Sequence, residues 1–206
     1  MRRKLRNPYD EDINKCFACG PKNPIGLKLT FEESEDYVHG LWHPTKDYMG
    51  YVNVLHGGII ATLLDEIGAW YVSVKVGTAG VTSELKVKYL KPVFISNGDI
   101  SLRASSIELS EKNIILHCEL FDGNGKLCAE ARSDFFLYPE AIAKGKFGYP
   151  GKEAFHAESE IVTRITELIA RYSPACRQAG CSVPDSGREF DDMLFLCFNS
   201  TINIIP

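Results

Sequence analysis

Between Gly58 and Val76 the chain is apolar or small at almost every position, and only Asp65, Glu66 and Lys75 carry charge. A helix that is apolar nearly all round has to be buried nearly all round. The remaining chain must therefore supply a surface that wraps this segment. The run is near the lower length limit for a membrane span, but three ionisable residues inside it argue against insertion. His56-Gly57-Gly58 forms the turn into the helix, and the stretch from Gly77 to Gly80 ends it. An acid in such a helix is costly unless something pairs with it or uses it.

The flanking sequence reads as strands. Leu27, Leu29 and Phe31 alternate with Lys28, Thr30 and Glu32, and residues 37–42 read as the return strand. Four strand-like runs follow the helix. In 81–90, Val81, Ser83, Leu85, Val87 and Tyr89 share one face, opposite Thr82, Glu84, Lys86 and Lys88. Similar alternation marks 99–108, 113–121 and 127–137, and Asp122-Gly123-Asn124-Gly125 is a hairpin signal between the last two. The order predicts an α+β architecture: two strands, one long helix, then a four-stranded antiparallel meander, curled so that its apolar face covers the helix.

Outside that block, residues 1–15 read as a flexible, polar lead-in. The domain proper spans 16–138. Residues 139–151 are a Gly/Pro-rich linker, and helical spacing of Phe155, Ile161, Ile165 and Ile169 predicts an amphipathic helix over 152–172. The tail, 173–206, holds three cysteines and no clear periodicity. Seven cysteines without a secretion-type N-terminus fit reduced thiols and a cytoplasmic protein. A net charge of −4 gives no electrostatic case for nucleic acid or an anionic membrane as partner.

Three stretches carry a family resemblance. CFACGPKNPIGLKL (16–29), HGGIIATLLDE (56–66) and LKVKYLKPV (85–93), followed by FDGNGKLCAEARSDFFL (121–137), resemble the PaaI-like branch of the hotdog thioesterases over residues 16–138. The resemblance implies a hotdog fold and hydrolysis of an acyl-CoA thioester by a homodimer or a dimer of dimers (a homotetramer). It also implies sites that combine a Gly amide of one subunit with the acid of the other, and no cofactor.

Within that frame Asp65 is the candidate base or carboxylate nucleophile. The resemblance singles out its position; the alternative is a buried Asp satisfied by backbone or hydroxyl. Glu66, rotated about 100° away on the helix, cannot share that role and reads as a structural or dimer-face acid. Gly57 and Gly58 open the helix, where free amides and the positive end of the dipole favour a developing oxyanion. His56 supports the loop or touches the thioester. Related enzymes hold the attacking water with a Ser or Thr at the strand after the helix. Alternation sends Thr82 and Ser83 to opposite faces, and spacing back from Pro92 favours Thr82 for that task, with Ser83 kept as a substrate-binding candidate.

Some relatives carry an Asn six residues before the His; Gly50 stands there in this chain, and Asn53, three before it, is the substrate-binding candidate that remains. Among Lys88, Lys91, Arg103 and Lys112, the residues Lys91 and Lys112 are taken as candidates for the CoA phosphates. Tyr48, Tyr51, Trp70 and Tyr71 are near enough in sequence to line an acyl pocket. Cys16 and Cys19 have the spacing of half a zinc site, but a closed site needs two more ligands, and Cys118 and Cys128 are far off on strands. The expectation is no metal and a compact knuckle packed on the domain. Rival readings are a non-catalytic acyl-CoA-binding module on the same fold and a hotdog hydratase, which would show an Asp–His pair in a different motif.

Overall fold

The computed structural model describes residues 2–9, 12 and 14–156. The strands are β1 (Arg3–Lys4), β2 (Thr30–Glu33), β3 (Val38–Trp42), β4 (Met49–Tyr51), β5 (Val54–Leu55), β6 (Gly80–Tyr89), β7 (Ile100–Leu109), β8 (Asn113–Phe121) and β9 (Leu127–Leu137). Helix α1 (Gly57–Tyr71) continues into a π-helical turn, Val72–Val76, and Gly77 at φ 83° ends it. A short helix α2 (Glu140–Phe147) follows the last strand.

Seven strands form one antiparallel sheet in the order β1-β2-β3-β7-β8-β9-β6, while β4 and β5 pair separately as a hairpin. The core lies where α1 crosses the sheet: Leu63, Leu64 and Ile67 meet Leu102, Ala104, Leu116, Leu120 and Phe135, all essentially inaccessible. Gly68 permits the closest approach, because a Cβ there would stand 2.9 Å from the Phe135 ring. One long helix held against an antiparallel sheet is the hotdog arrangement, as the order of elements predicts.

Four features differ from the sequence reading. The four strands after α1 are not one meander. Strands β7, β8 and β9 are, but β6 pairs with β9 at the far edge, and β7 pairs with β3. Helix α1 carries the chain across the width of the sheet before β6 is laid down, and periodicity reports a strand's faces, not its neighbours.

Second, the lead-in is not wholly loose: β1 adds an edge strand, with Arg3 opposite Glu33 and Lys4 opposite Glu32. The next residue, Leu5, is buried. Third, Leu27 and Leu29 are buried in irregular chain, and the strand starts only at Thr30. Fourth, the linker contains α2, and the expected helix from 152 begins as a 3-10 turn, Lys152–Phe155, whose Phe155 is buried. The rest of that expected helix and the tail 173–206 lie outside the described residues.

Candidate active site

The turn into α1 is held by side chains from both sides. His56 is the N-cap, and its Nδ1 accepts the Gly58 amide at 2.9 Å. The His56 carbonyl accepts the amides of Ile59 and Ile60. The Gly57 carbonyl accepts the Tyr89 hydroxyl at 2.9 Å. Among the described residues the Gly57 N–H donates to nothing. Of the two glycine amides at the helix start, then, Gly58 is occupied by His56 and Gly57 remains open to a ligand, with the helix dipole behind it.

Asp65 lies eight residues further along α1. Its Oδ1 accepts the Thr82 hydroxyl at 2.7 Å, so the carboxylate is held, and among the described residues its other oxygen takes no hydrogen bond. Strict alternation puts Thr82 on the face opposite Leu85. A bulge in β6, between Thr82 and Glu84, changes that: Thr82 pairs with Phe135 and Leu85 with Ser133, two fully buried residues of β9. One extra residue in a strand inverts the alternation beyond it. Thr82 and Leu85 therefore both face the helix. Ser83, the bulged residue, donates its hydroxyl to the Asp134 carbonyl at 2.9 Å and takes no part in the Asp65–Thr82 pair.

The other sequence candidates are not brought to this pair. Asn53, at φ 62°, spends both ends of its amide on Ser96: Nδ2 donates to the Ser96 hydroxyl at 2.9 Å and Oδ1 accepts the Ser96 amide at 3.0 Å. It fastens the β4–β5 hairpin to the 95–97 turn. Lys91 and Lys112 are exposed at opposite ends of β9: the Lys91 amide bonds Cys128, and the Lys112 carbonyl accepts the Leu137 amide. Nine strand residues separate those points by roughly 30 Å, so one chain cannot bring both lysines to the same phosphate group.

Glu66 turns away from Asp65 altogether. Its carboxylate accepts the Trp70 indole N–H at 3.1 Å and lies 3.7 Å from the Cys16 sulfur. Burial first, and the nearby Cys16 second, push its pKa up to about 7. Trp70 and Tyr71 are core residues on the side away from Asp65; Trp70 stacks on Phe31 with ring centroids 3.8 Å apart and borders the cavity beside Glu66. Tyr48 hydrogen-bonds the irregular 25–26 segment, and Tyr51 is exposed on the hairpin.

Sequence reasoning missed Tyr89 as a clamp on the turn. Its place at the exposed end of β6 gave no sign that its hydroxyl reaches the Gly57 carbonyl. Gly57 and Asp65, which the resemblance implies act across two subunits, stand well apart within one chain. Eight helical residues at 1.5 Å each put them about 12 Å apart along the axis.

Fold and site together define a hotdog protein with an acid on its central helix and an open amide at the start of that helix. The thioesterase superfamily model matches residues 52–129, which contain both. An uncharacterized protein of Schizosaccharomyces pombe is 34% identical over 144 residues, 66% of this chain and 81% of that protein. A candidate esterase of Saccharolobus solfataricus is 31% identical over 88 residues, 42% of this chain and 57% of its own length. The chain belongs to the thioesterase superfamily.

Solved structures share the fold. A Haemophilus influenzae thioesterase superposes with TM-score 0.52 at 23% identity, covering 58% of this chain and 85% of that one. The PaaI protein of the E. coli phenylacetic acid degradation operon gives 0.50 at 19%, covering 55% and 82%. A Streptococcus mutans protein bound to acetyl-CoA gives 0.50 at 20%, covering 54% and 90%. Among the described residues no helix is long and apolar enough to cross a membrane.

Proposed function

We propose that the protein is an acyl-CoA thioesterase that works as a homodimer, each site joining Gly57 of one subunit to Asp65 and Thr82 of the other. The carrying observation is the pair itself: a carboxylate held by one hydroxyl, and an unengaged helix-start amide too far along the same helix to act with it. The superfamily match, and the acetyl-CoA carried by a protein of the same fold, support a CoA thioester as substrate.

The surface needed for such pairing is present. Strand β6 is the sheet edge, and Val81, Thr82, Ser83 and Glu84 along it are exposed. The adjoining face of α1 is made of Gly58, Ala61, Thr62 and Asp65, none fully buried in the single chain. Small residues let two helices approach closely, and an unpaired edge strand pairs readily with its own copy.

In the reaction the thioester oxygen sits at the Gly57 N–H. Thr82 donates to Oδ1 of Asp65 and leaves Oδ2 for water. The carboxylate takes a proton as the water oxygen bonds the carbonyl carbon. The negative charge gathers on the oxygen facing Gly57, where a fixed amide in a dry site is most effective. The C–S bond then breaks, and the proton on Asp65 passes to the departing thiolate. No metal or cofactor enters these steps.

The test is subunit complementation. Gly57→Pro removes the N–H and adds a ring at a first helical position that tolerates proline, where an added Cβ meets the Tyr89 ring at an ordinary 3.5 Å. Asp65→Asn removes the base. Each variant alone is expected to release no CoA above background from a panel of short, medium, long and aromatic acyl-CoAs. Subunits refolded or co-expressed together are expected to regain about a quarter of wild-type activity, because one site in each hybrid dimer is intact. Silence of the wild type on the whole panel would sink the enzymatic reading; failure to complement would sink only the shared site.

A further inference from the structure

On the side of α1 away from Asp65, Cys16, Cys19 and Glu66 converge: two sulfurs and a carboxylate oxygen lie within 4.8 Å of one another. Nothing in the proposed hydrolysis uses them. The Cys16 sulfur is 3.7 Å from each Glu66 oxygen. A tetrahedral zinc with bonds of about 2.3 Å to sulfur and about 2.1 Å to oxygen places those atoms roughly 3.6 Å apart.

The segment Cys16-Phe17-Ala18-Cys19-Gly20 is folded as a metal-binding knuckle would be. The Cys19 amide donates back to the Cys16 sulfur at 3.4 Å, and the Gly20 amide to the Cys16 carbonyl at 3.0 Å. A Cβ on Gly20 would sit 2.6 Å from that carbonyl oxygen, so the loop closes only over glycine. Each of the three donor groups is also oriented by a neutral partner. Asn7 Nδ2 lies 3.5 Å from the Cys19 sulfur, the Cys19 amide serves Cys16, and the Trp70 indole holds Glu66. Hydrogen bonds of this kind fix and tune metal ligands.

We propose that Cys16, Cys19 and Glu66 bind one Zn²⁺ ion, with water in the fourth position facing the adjoining cavity. That cavity, about 550 Å³, is lined by the three ligands together with Tyr9, Asn14 and Ser73. Two thiolates and one carboxylate suit zinc better than a harder cation such as Mg²⁺ or Ca²⁺. The sequence shows only the Cys16/Cys19 half of this set; the third ligand comes from the central helix. A bound ion would tie the irregular 14–29 segment to α1 and fix the rotation of that helix about its axis. Unlike the proposed hydrolysis, it requires no second subunit.

The experiment uses the full chain, reduced and stripped with chelator, titrated first with Co²⁺ and then with Zn²⁺. The expected result is one equivalent of cobalt with a thiolate-to-metal charge-transfer band and tetrahedral d–d bands, displaced by zinc. Cys16→Ser is expected to abolish the band. Glu66→Gln, nearly isosteric, is expected to weaken binding by at least ~100-fold, the upper end for losing a mere supporting contact. Circular dichroism confirms that each variant is folded, and Glu66→Gln decides the matter should Cys16→Ser not fold. Joint replacement of Cys176, Cys181 and Cys197 by Ser should leave the stoichiometry at one. Three outcomes overturn the proposal: no cobalt–thiolate band in the folded wild type; binding that follows the C-terminal cysteines instead; or mild oxidation removing two thiols from a protein that takes no metal, which would make Cys16 and Cys19 a dithiol pair. All of these readouts are independent of turnover.

Discussion

Asp65 and Glu66 are adjacent on α1, and the helix turns them about 100° apart into two kinds of surroundings. Asp65 faces the exposed edge strand and is met by a single hydroxyl. Glu66 faces a roof made by the 14–29 segment and is met by Trp70 and Cys16. The Asp65 side is open, lined with small side chains and short of partners. The Glu66 side is covered, aromatic and tightly connected. Chemistry needs a group whose free lone pair still points at something that can arrive. A tie between elements needs a group whose contacts hold one segment to another. Two acids one step apart on one helix are thus given different surroundings by what the sheet and the N-terminal segment place over them.

Substitutions on the two sides should therefore separate rate from stability. The largest effect is expected from Asp65→Asn: kcat for acyl-CoA hydrolysis falls by about 10²–10⁴-fold, the range for losing a general base, while Tm stays near wild type. A kcat within twofold of wild type would remove Asp65 from the mechanism. Next is Trp70→Ala on the covered side. Trp70 is 5% exposed, stacked on Phe31 and set edge-on to Phe155 at 5.4 Å. Chemical denaturation should show a loss of about 3–5 kcal/mol; a change under 1 kcal/mol would mean the roof is not a packed part of the fold.

Thr82→Val keeps the side-chain shape and removes the hydroxyl. A hydrogen bond to a charged acceptor is worth about 1.5–3 kcal/mol, so kcat should drop by about 10- to 100-fold, with KM little changed. Equal losses in Thr82→Val and Thr82→Ser would show that shape, not the hydroxyl, matters there. The smallest effect is expected from Tyr89→Phe, which releases the Gly57 carbonyl. Unfolding experiments should register about 0.5–1.5 kcal/mol. A larger effect on kcat than on stability would show that the clamp places the Gly57 amide rather than merely securing the turn.

The fold was legible in the chain because burial leaves a periodic trace. The apolar run 58–76, the alternation in Ile100–Leu102–Ala104 and the Asp122–Gly125 turn each report an environment that a side chain must match. Strand order was not legible: the same alternation serves β6 beside β7 or beside β9. The choice of Thr82 over Ser83 came from the resemblance and the spacing back from Pro92, because alternation only sends the two hydroxyls to opposite faces and cannot say which one meets the helix. The converging trio Cys16, Cys19 and Glu66 could not be seen whole, because two members are local and the third is brought in by tertiary packing. Tyr89 and Ser96 left no signal for the same reason, each acting on a backbone or side chain distant in sequence.

The bulge at Ser83 acts as a phase step in β6. On one side of it the strand's parity is set by the hydrogen bond of Thr82 to Asp65 on the helix; on the other it is set by packing, with Leu85 toward the same helix. An uninterrupted strand could satisfy only one of these, since residues 82 and 85 have opposite parity. Deleting Ser83 would remove the surplus residue: Thr82 and Leu85 would then stand two positions apart, and a regular strand would turn both toward the helix. The bulge is thus the place where the strand absorbs one residue more than its pairing with β9 needs, and that residue makes only a backbone-directed hydrogen bond.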